Sequence, residues 1–269
     1  MKRIYFTMVV IAIFVAQGFA QCPLTNKAFK SGETLSYDLY FNWKFIWIKA
    51  GTASFNITRT VYAGEPAYRT RLVTRGSKRA DALFVMRDTL VSFVDTNLVP
   101  RYFRKGAEEG KSYRCDEVFY NYYAGRSAVK MNHYKLGKSS KQSSYSSLTC
   151  MYDMLSMVLR ARNFDMSMYK KGQRIPFIMA DGKDCDPKSI LYKGKTVFQV
   201  ENSTAKYRCL IFSFLEKEDG KENEIITFYI TDDANHVPLR LDMNLRFGSA
   251  KAYLTGMRGL RNSATSKIK

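Results

Sequence analysis

Few residues of this sequence have the types and spacing that catalysis requires. His236 follows Asp232 and Asp233 in the segment "DDANHVP", where a carboxylate could orient an imidazole general base. The same segment has the composition of a turn, because aspartate and asparagine tolerate turn geometry and Pro238 ends it. The sequence also lacks the Gly-x-Ser-x-Gly nucleophile elbow. We therefore predict a turn at His236, and a protein that is not an enzyme.

Two groups of acidic residues lie in segments that we expect to be loops. Glu108-Glu109 and the segment "DGKDCD" at 181–186 could in principle pair carboxylates for glycoside hydrolysis, but the glycine and lysine beside them favour solvated turns. "DGKDCD" also lacks the later bidentate glutamate of a calcium loop. Because the sequence has two histidines, no Cys-x-x-Cys and no phosphate-binding or dinucleotide fingerprint, we predict neither a metal nor a cofactor.

The first residues are typical of a secretory signal peptide. Lys2 and Arg3 precede an apolar run, and Gly18-Phe19-Ala20 offers small residues at a cleavage site. We predict a signal peptide at 1–20, one β-rich domain at 21–269 and a periplasmic location. Acylation at Cys22 is the alternative, which Gln21 disfavours. Without Lys2 and Arg3, the formal net charge of +19 becomes +17.

This charge favours attraction to polyanions, which in an exported protein are lipid headgroups and acidic glycans rather than nucleic acid. Plain solubility is the alternative explanation. Export also permits disulfides, and the odd number of cysteines leaves at least one unpaired within the chain. We expect Cys185 and Cys209 to pair first, because they lie in neighbouring predicted strands or turns.

Alternating apolar residues predict strands over most of the chain. In "GETLSYDLYF" at 32–41 the alternation continues through Trp43, Phe45 and Trp47, an aromatic stripe that forms core or lines a pocket. Between this stripe and the next strand, we interpret Lys49-Ala50-Gly51 as a corner or bulge at a sheet edge, where glycine allows close strand approach.

Three arginines share one face of the predicted strand "AYRTRLVTRG" at 67–76. Arg69, Arg71 and Arg75 cannot be buried without partners, so they form a solvated face or an anion-binding wall. Further along, the segment 77–88 predicts a short helix, and the serine-rich segment 137–147 a mobile loop.

A helical period appears in "TCMYDMLSMVLRARNF". Met154, Leu155 and Val158 share one apolar stripe, and Thr149 or Ser147 could cap the helix start. The stripe is rich in methionine, which adapts to irregular surroundings. This helix either plugs a curled sheet or forms an adaptable wall for an apolar ligand.

Several segments in order resemble the DUF3108 proteins, exported bacterial proteins without an agreed function. They are "GETLSYDLYF", "WIKAGTASFNI", "YDMLSMVLRARNF", "GQRIPFIMADGK" and "TDDANHVPLRLDMNLRFGSAKAYLTG". The serine-rich segment and the excess of basic residues depart from the family. The resemblance implies a mainly β fold, an antiparallel curled sheet or open β-barrel with one or two packed helices, similar in outline to lipid-carrier folds. It supplies no catalytic residues.

We therefore expect a non-enzymatic envelope protein that binds a lipid or acyl chain in the concavity of the sheet. The expected lining residues are Trp43, Phe45, Trp47, Met154, Leu155 and Val158. The alternative is a structural or interaction protein that binds an envelope partner, an anionic membrane surface or an acidic glycan through Arg69, Arg71 and Arg75.

Overall fold

The computed structural model describes residues 22–43, 46–81, 85–110, 112–200, 204–218, 220–245 and 248–268. Most of them form strands: β1 (Glu33–Trp43), β2 (Ile46–Tyr62), β3 (Glu65–Gly76), β4 (Met86–Asp95), β5 (Pro100–Glu109), β6 (Ser112–Tyr123), β7 (Arg126–Lys135), β8 (Lys141–Ser147), β9 (Met151–Tyr152), β10 (Arg174–Ala180), β11 (Cys185–Gln199), β12 (Lys206–Glu218), β13 (Lys221–Thr231), β14 (Pro238–Asn244) and β15 (Ser249–Arg258). The helices are α1 (Lys78–Asp81), α2 (Met154–Ala161) and a 3₁₀ turn (Met166–Met168). The predicted signal peptide lies outside the described residues.

All fifteen strands belong to one sheet in the order β8-β7-β6-β5-β4-β3-β2-β1-β15-β14-β13-β12-β11-β10-β9. Neighbours pair antiparallel, and β9 pairs parallel with β10. The sheet curls until β9 lies beside β7, which makes it a nearly closed, barrel-like sheet. The predicted mainly β, antiparallel and curled fold is confirmed.

Alternation and tight turns account for the strands. In β2 the side chains of Ala53, Phe55 and Ile57 are buried and the residues between them face outward, as expected for a strand with one face against a core. Between β6 and β7, Ala124 (φ 49°) and Gly125 (φ 73°) both have positive φ, which a two-residue hairpin turn requires.

Gly51 lies within β2, which is one continuous strand between β1 and β3 and not a corner at a sheet edge. Leu39 pairs with Gly51 and Tyr40 with Lys49, so Ala50 is the extra residue of a bulge, as the bulge interpretation predicts. A Cβ atom at Gly51 would lie 2.1 Å from the carbonyl oxygen of Arg75. Only glycine permits this approach of the β3 backbone.

Two local predictions are wrong. The serine-rich segment is not a mobile loop: its second half is β8, an edge strand paired with β7. Backbone hydrogen bonds to β7 hold this strand. Its side chains are polar and exposed, and the sequence therefore shows no apolar alternation there. Of the helix predicted over 77–88, the described residues show α1 at Lys78–Asp81, and β4 already begins at Met86.

Helix α2 packs inside the curled sheet. Leu155 and Leu159 are fully buried against the half formed by β1–β7, whereas Met157 packs with Phe177 and Phe212 of the other half. Each buried leucine contributes about 1.5–3 kcal/mol. The helix therefore joins the two halves of the sheet, which places its remaining apolar face beside the cavity described below.

The N-cap of α2 is Asp153, not the predicted Thr149 or Ser147. Its carboxylate accepts hydrogen bonds from the backbone of Leu155 and Ser156, and the Ser156 hydroxyl accepts one from the backbone N–H of Asp153. Ser92 of β4 also donates to Asp153, at 3.0 Å. Burial raises the pKa of the Asp153 carboxyl. The cap thereby fixes the start of α2 to the sheet.

Candidate functional site

A cavity of about 370 Å³ separates α2 from the curled sheet. The helix contributes Met154, Met157, Val158 and Ala161 to its lining. These are positions i, i+3, i+4 and i+7, so they lie along one side of the helix. The adaptable methionine side chains form much of this wall.

The opposite wall is mostly apolar and comes from β10–β13; its charged member is Glu216 of β12, which pairs with Lys188 at 3.2 Å. Its apolar members are aromatic and branched aliphatic side chains together with one methionine: Phe177, Met179, Ile190, Phe212, Phe214, Ile225, Ile226, Phe228 and Ile230. Most of them alternate along their strands, so the inner face of this half of the sheet supplies them. A cavity with such walls favours an apolar occupant.

One side of the cavity is charged. Lys105 of β5, Asp116 of β6 and His133 of β7 stand opposite one another on three adjacent strands and line the cavity with Arg114. Asp116 accepts from His133, with Nδ1 and Oδ1 2.5 Å apart. The Arg114 Nε atom lies 3.8 Å from the other carboxylate oxygen. The carboxylate of Asp116 is therefore held between two cationic or proton-donating groups.

The turn between β10 and β11 brings further charge to the same side. A Cβ atom on Gly182 (φ 96°) would lie 2.6 Å from the Cβ atom of Asp116, so this turn packs directly on β6. Asp181 and Lys183 of the turn line the cavity. The carboxylate of Asp181 accepts the backbone N–H groups of Lys183 and Asp184, each at 2.8 Å, which matches the turn predicted here.

A buried polar cluster ties the end of α2 to the sheet. Arg162 forms a bidentate ion pair with Glu33 and also donates to the carbonyl oxygen of Asn235. The Nδ1–H group of His236 donates to the carbonyl oxygen of Arg162 at 2.7 Å. Burial lowers the pKa of His236. These contacts give His236 a structural role.

The two aspartates near His236 have other partners. Asp232 pairs with Lys195 at 2.9 Å, and Asp233 accepts from Thr231 and from the backbone of Asn235. His236 itself has φ 45°, as expected within a turn. The predicted turn is present, and the partners of His236 are not those of a catalytic triad.

The predicted lining residues separate into three groups. Met154 and Val158 line the cavity, whereas Leu155 is buried in the core. Trp47 is absent from the lining: it is 39% exposed, and the Lys251 ammonium lies 4.2 Å from its ring centroid. Phe45 and the side chain of Trp43 lie outside the described part of the chain.

The three arginines of β3 are on the outer face of the sheet. Arg69, Arg71 and Arg75 are exposed, and within the described residues none of them forms an ion pair. Beside them lies a row of aromatic rings in successive contact, Tyr62, Phe93, Tyr102 and Phe119. This outer face is separate from the cavity.

Sequence reasoning missed Lys105, Asp116 and His133. The segment about Ala124-Gly125 contains the necessary information, because a two-residue turn there fixes the register that pairs Asp116 with His133. No local sequence pattern indicates the part of the cavity formed by β10–β13, because its position depends on how far the sheet curls.

The expected disulfide is wrong. Cys22 and Cys150 form the disulfide, and Cys115, Cys185 and Cys209 are free. Cys209 pairs with Thr196 of β11, eleven residues along that strand from Cys185, a distance of roughly 35 Å. The Cys22–Cys150 bond joins the N-terminal segment to the start of β9. A disulfide-bonded sulfur cannot carry the thioether-linked lipid of a lipoprotein.

Within the described residues, no group of three or more histidine, cysteine or acidic side chains is placed to hold a metal ion. None of the helices in the described residues combines the length and the apolar character needed to cross a bilayer.

The fold is that of a β-barrel-like protein. The crystal structure of a β-barrel-like protein of the domain of unknown function DUF1849 from Brucella abortus matches with a TM-score of 0.54 and 12% identity, covering 87% of this chain and 100% of the other. A protein of YmcC-like fold from Bacteroides fragilis matches with a TM-score of 0.33 and 6% identity over 88% and 100% of the two chains.

The chain belongs to the DUF3108 family, described as proteins of unknown function, whose profile matches residues 36–255. This confirms the resemblance noted in the sequence. No curated protein matches the chain.

Proposed function

We propose that this protein is exported to the periplasm and binds an apolar or amphiphilic ligand, such as a lipid or acyl chain, in the cavity beside α2. The cavity of about 370 Å³ between mostly apolar walls carries this proposal. Ligand sites in proteins typically have volumes of about 300–1,000 Å³, mostly apolar walls and a few polar groups. Lys105, Arg114, Asp116 and His133 supply those polar groups here.

Binding without catalysis is favoured by the chemistry of the lining. The Asp116–His133 pair could orient a base, but among the described lining residues there is no serine, threonine or cysteine to act as a nucleophile. The protein in this proposal holds its ligand and leaves it chemically unchanged.

A fluorescence titration with N-phenyl-1-naphthylamine, an uncharged apolar dye, tests the cavity. We expect saturable binding to the wild-type protein and at least about tenfold weaker binding to Ala161→Trp, whose indole would fill the space beside α2. Ala128→Trp, on the outer face of β7, is the matched control and should bind as the wild type does. Equal binding by all three, with unchanged unfolding midpoints, would place the dye elsewhere.

Export has its own test. After expression in a Gram-negative host, periplasmic fractions should contain protein whose N-terminal residue is Gln21. Cytoplasmic protein that retains Met1 would contradict export.

The outer arginines support a second candidate function, binding of an envelope partner or acidic glycan. Their three guanidinium groups lie beside a row of aromatic rings, a combination that suits anionic sugar chains. Retention on heparin should fall with salt and should be reduced in the triple variant Arg69→Gln, Arg71→Gln, Arg75→Gln. A triple variant that elutes with the wild type would argue against this surface.

A further inference from the structure

We propose that the ligand has a compact anionic head, a carboxylate or phosphate monoester, which binds the ammonium group of Lys105. This inference rests on the proposed function of the cavity. It names the class of ligand, a single-chain anionic amphiphile, and the residue that selects it.

Lys105 differs from the other cations of the cavity. Arg114 lies 3.8 Å from Asp116, Lys183 lies 2.9 Å from Asp184, and Arg162 pairs with Glu33. Within the residues that the structure describes, the Lys105 ammonium has no carboxylate within ion-pair distance. Its neighbour across the strands is Asp116, but His133 and Arg114 engage both oxygens of that carboxylate.

The surroundings of Lys105 favour an anionic partner. The side chain is half-buried and lines an apolar cavity between Phe103 and Ala107, which are buried on the same face of β5. A charged group removed from water is destabilised unless it is paired. An anionic head held at Lys105 would remove this penalty, while the chain of the ligand lies against α2. Lysine presents a compact point charge, which suits a small head.

The volume of the cavity limits the ligand to one chain. An apolar cavity of about 150 Å³ accepts benzene, with its six carbon atoms. Scaled by volume, the cavity of 370 Å³ accommodates about fifteen carbon atoms. One acyl or alkyl chain of moderate length therefore fits, and the two chains of a phospholipid do not.

The test measures how tightly dodecanoic acid and its methyl ester, which has the same chain without the charge, displace N-phenyl-1-naphthylamine. Wild-type protein should bind the acid about tenfold more tightly than the ester, as expected for one charge-assisted contact. Lys105→Met should bind both probes equally, with an unchanged affinity for the ester. Lys105→Arg should retain the preference, and Lys130→Met, at an exposed position on the outer face of β7, should behave as the wild type. Competition by dodecanoate and by dodecyl phosphate then distinguishes a carboxylate from a phosphate head.

The outcomes separate the two proposals. Equal binding of acid and ester by the wild-type protein, or a preference that survives in Lys105→Met, would overturn the role of Lys105 and leave the cavity proposal in place. Failure of both probes to bind the wild-type protein would contradict the cavity proposal itself.

Discussion

Arg162, which follows α2, and Glu33, at the start of β1, form a bidentate ion pair in which both side chains are buried. The guanidinium group also lies over the ring of Phe29. This pair fixes the end of the helix, and hence one wall of the cavity, to the sheet.

Removing one partner of this pair leaves a buried charge without compensation. We expect Arg162→Met to lower the free energy of unfolding by about 3–5 kcal/mol, measured by urea denaturation. The double variant Glu33→Met, Arg162→Met should lose less than the single variant, because it leaves no orphan charge. Arg174→Met, which breaks an exposed pair with Glu222, is the control and should have little effect. Equal losses in the buried and exposed variants would show that the Arg162 pair is not buried as described.

The disulfide connects residues 128 positions apart. We expect the double variant Cys22→Ser, Cys150→Ser to lower the free energy of unfolding by about 2–5 kcal/mol, because the bond restricts the unfolded chain. Alkylation of the unfolded protein should label three thiols before reduction and five after it. Labelling of Cys22 before reduction, or a lipid on Cys22, would rule out this pairing.

A substitution at Gly51 tests how closely the backbones of β2 and β3 approach each other. Gly51→Ala should destabilise the protein by about 1–3 kcal/mol, because its Cβ would overlap the carbonyl oxygen of Arg75. The matched control is Gly256→Ala in β15, where the nearest atom to an added Cβ is the Ser36 Cβ at 3.9 Å. Thermal unfolding of the two variants measures the difference, and similar midpoints would contradict the close approach.

His236 makes stability depend on pH. Burial holds its pKa below the ordinary value of 6.5, so below pH 6.5 the unfolded chain takes up a proton before the folded protein does. The stability contributed by neutral His236 is thus fully present above pH 6.5 and is lost as the pH falls toward the folded pKa. His236→Asn, which tolerates the positive φ, should show a shallower loss of stability over this range.

An NMR titration checks the assignment directly, because the chain has two histidines. One imidazole resonance should titrate below pH 6.5 and should be missing from His236→Asn. If the resonance lost in this variant instead titrates at or above pH 6.5, the buried environment of His236 is wrong.

The sequence predicts strands and turns well, because alternation and positive-φ turns are local properties. The antiparallel meander follows from them, and helical spacing predicts the apolar stripe of α2, whereas the curl of the sheet is what the resemblance to the DUF3108 proteins implies. β8 was missed because an edge strand needs only backbone partners, and its serines carry no burial pattern. Asp153 is recognisable as a cap, because aspartate is one of the residue types preferred at the N-cap.

The site was less predictable because it depends on long-range arrangement. Helical spacing predicts Met154 and Val158. Extending the alternation of β1 past its end at Trp43 predicts Trp47 on the same surface, where it does not lie. The pairing of Cys22 with Cys150 and the approach of Gly182 to Asp116 both arise from closure of the sheet. No local pattern encodes those distances.

A crystal structure with 12-bromododecanoic acid tests the central claim most directly. Anomalous scattering would locate the bromine, and electron density would locate the carboxylate. We predict the bromine against the apolar wall near Phe228 and the carboxylate within hydrogen-bonding distance of Lys105. Bromine on the outer face of the sheet, or an empty cavity at a concentration that saturates binding in solution, would contradict a ligand site beside α2.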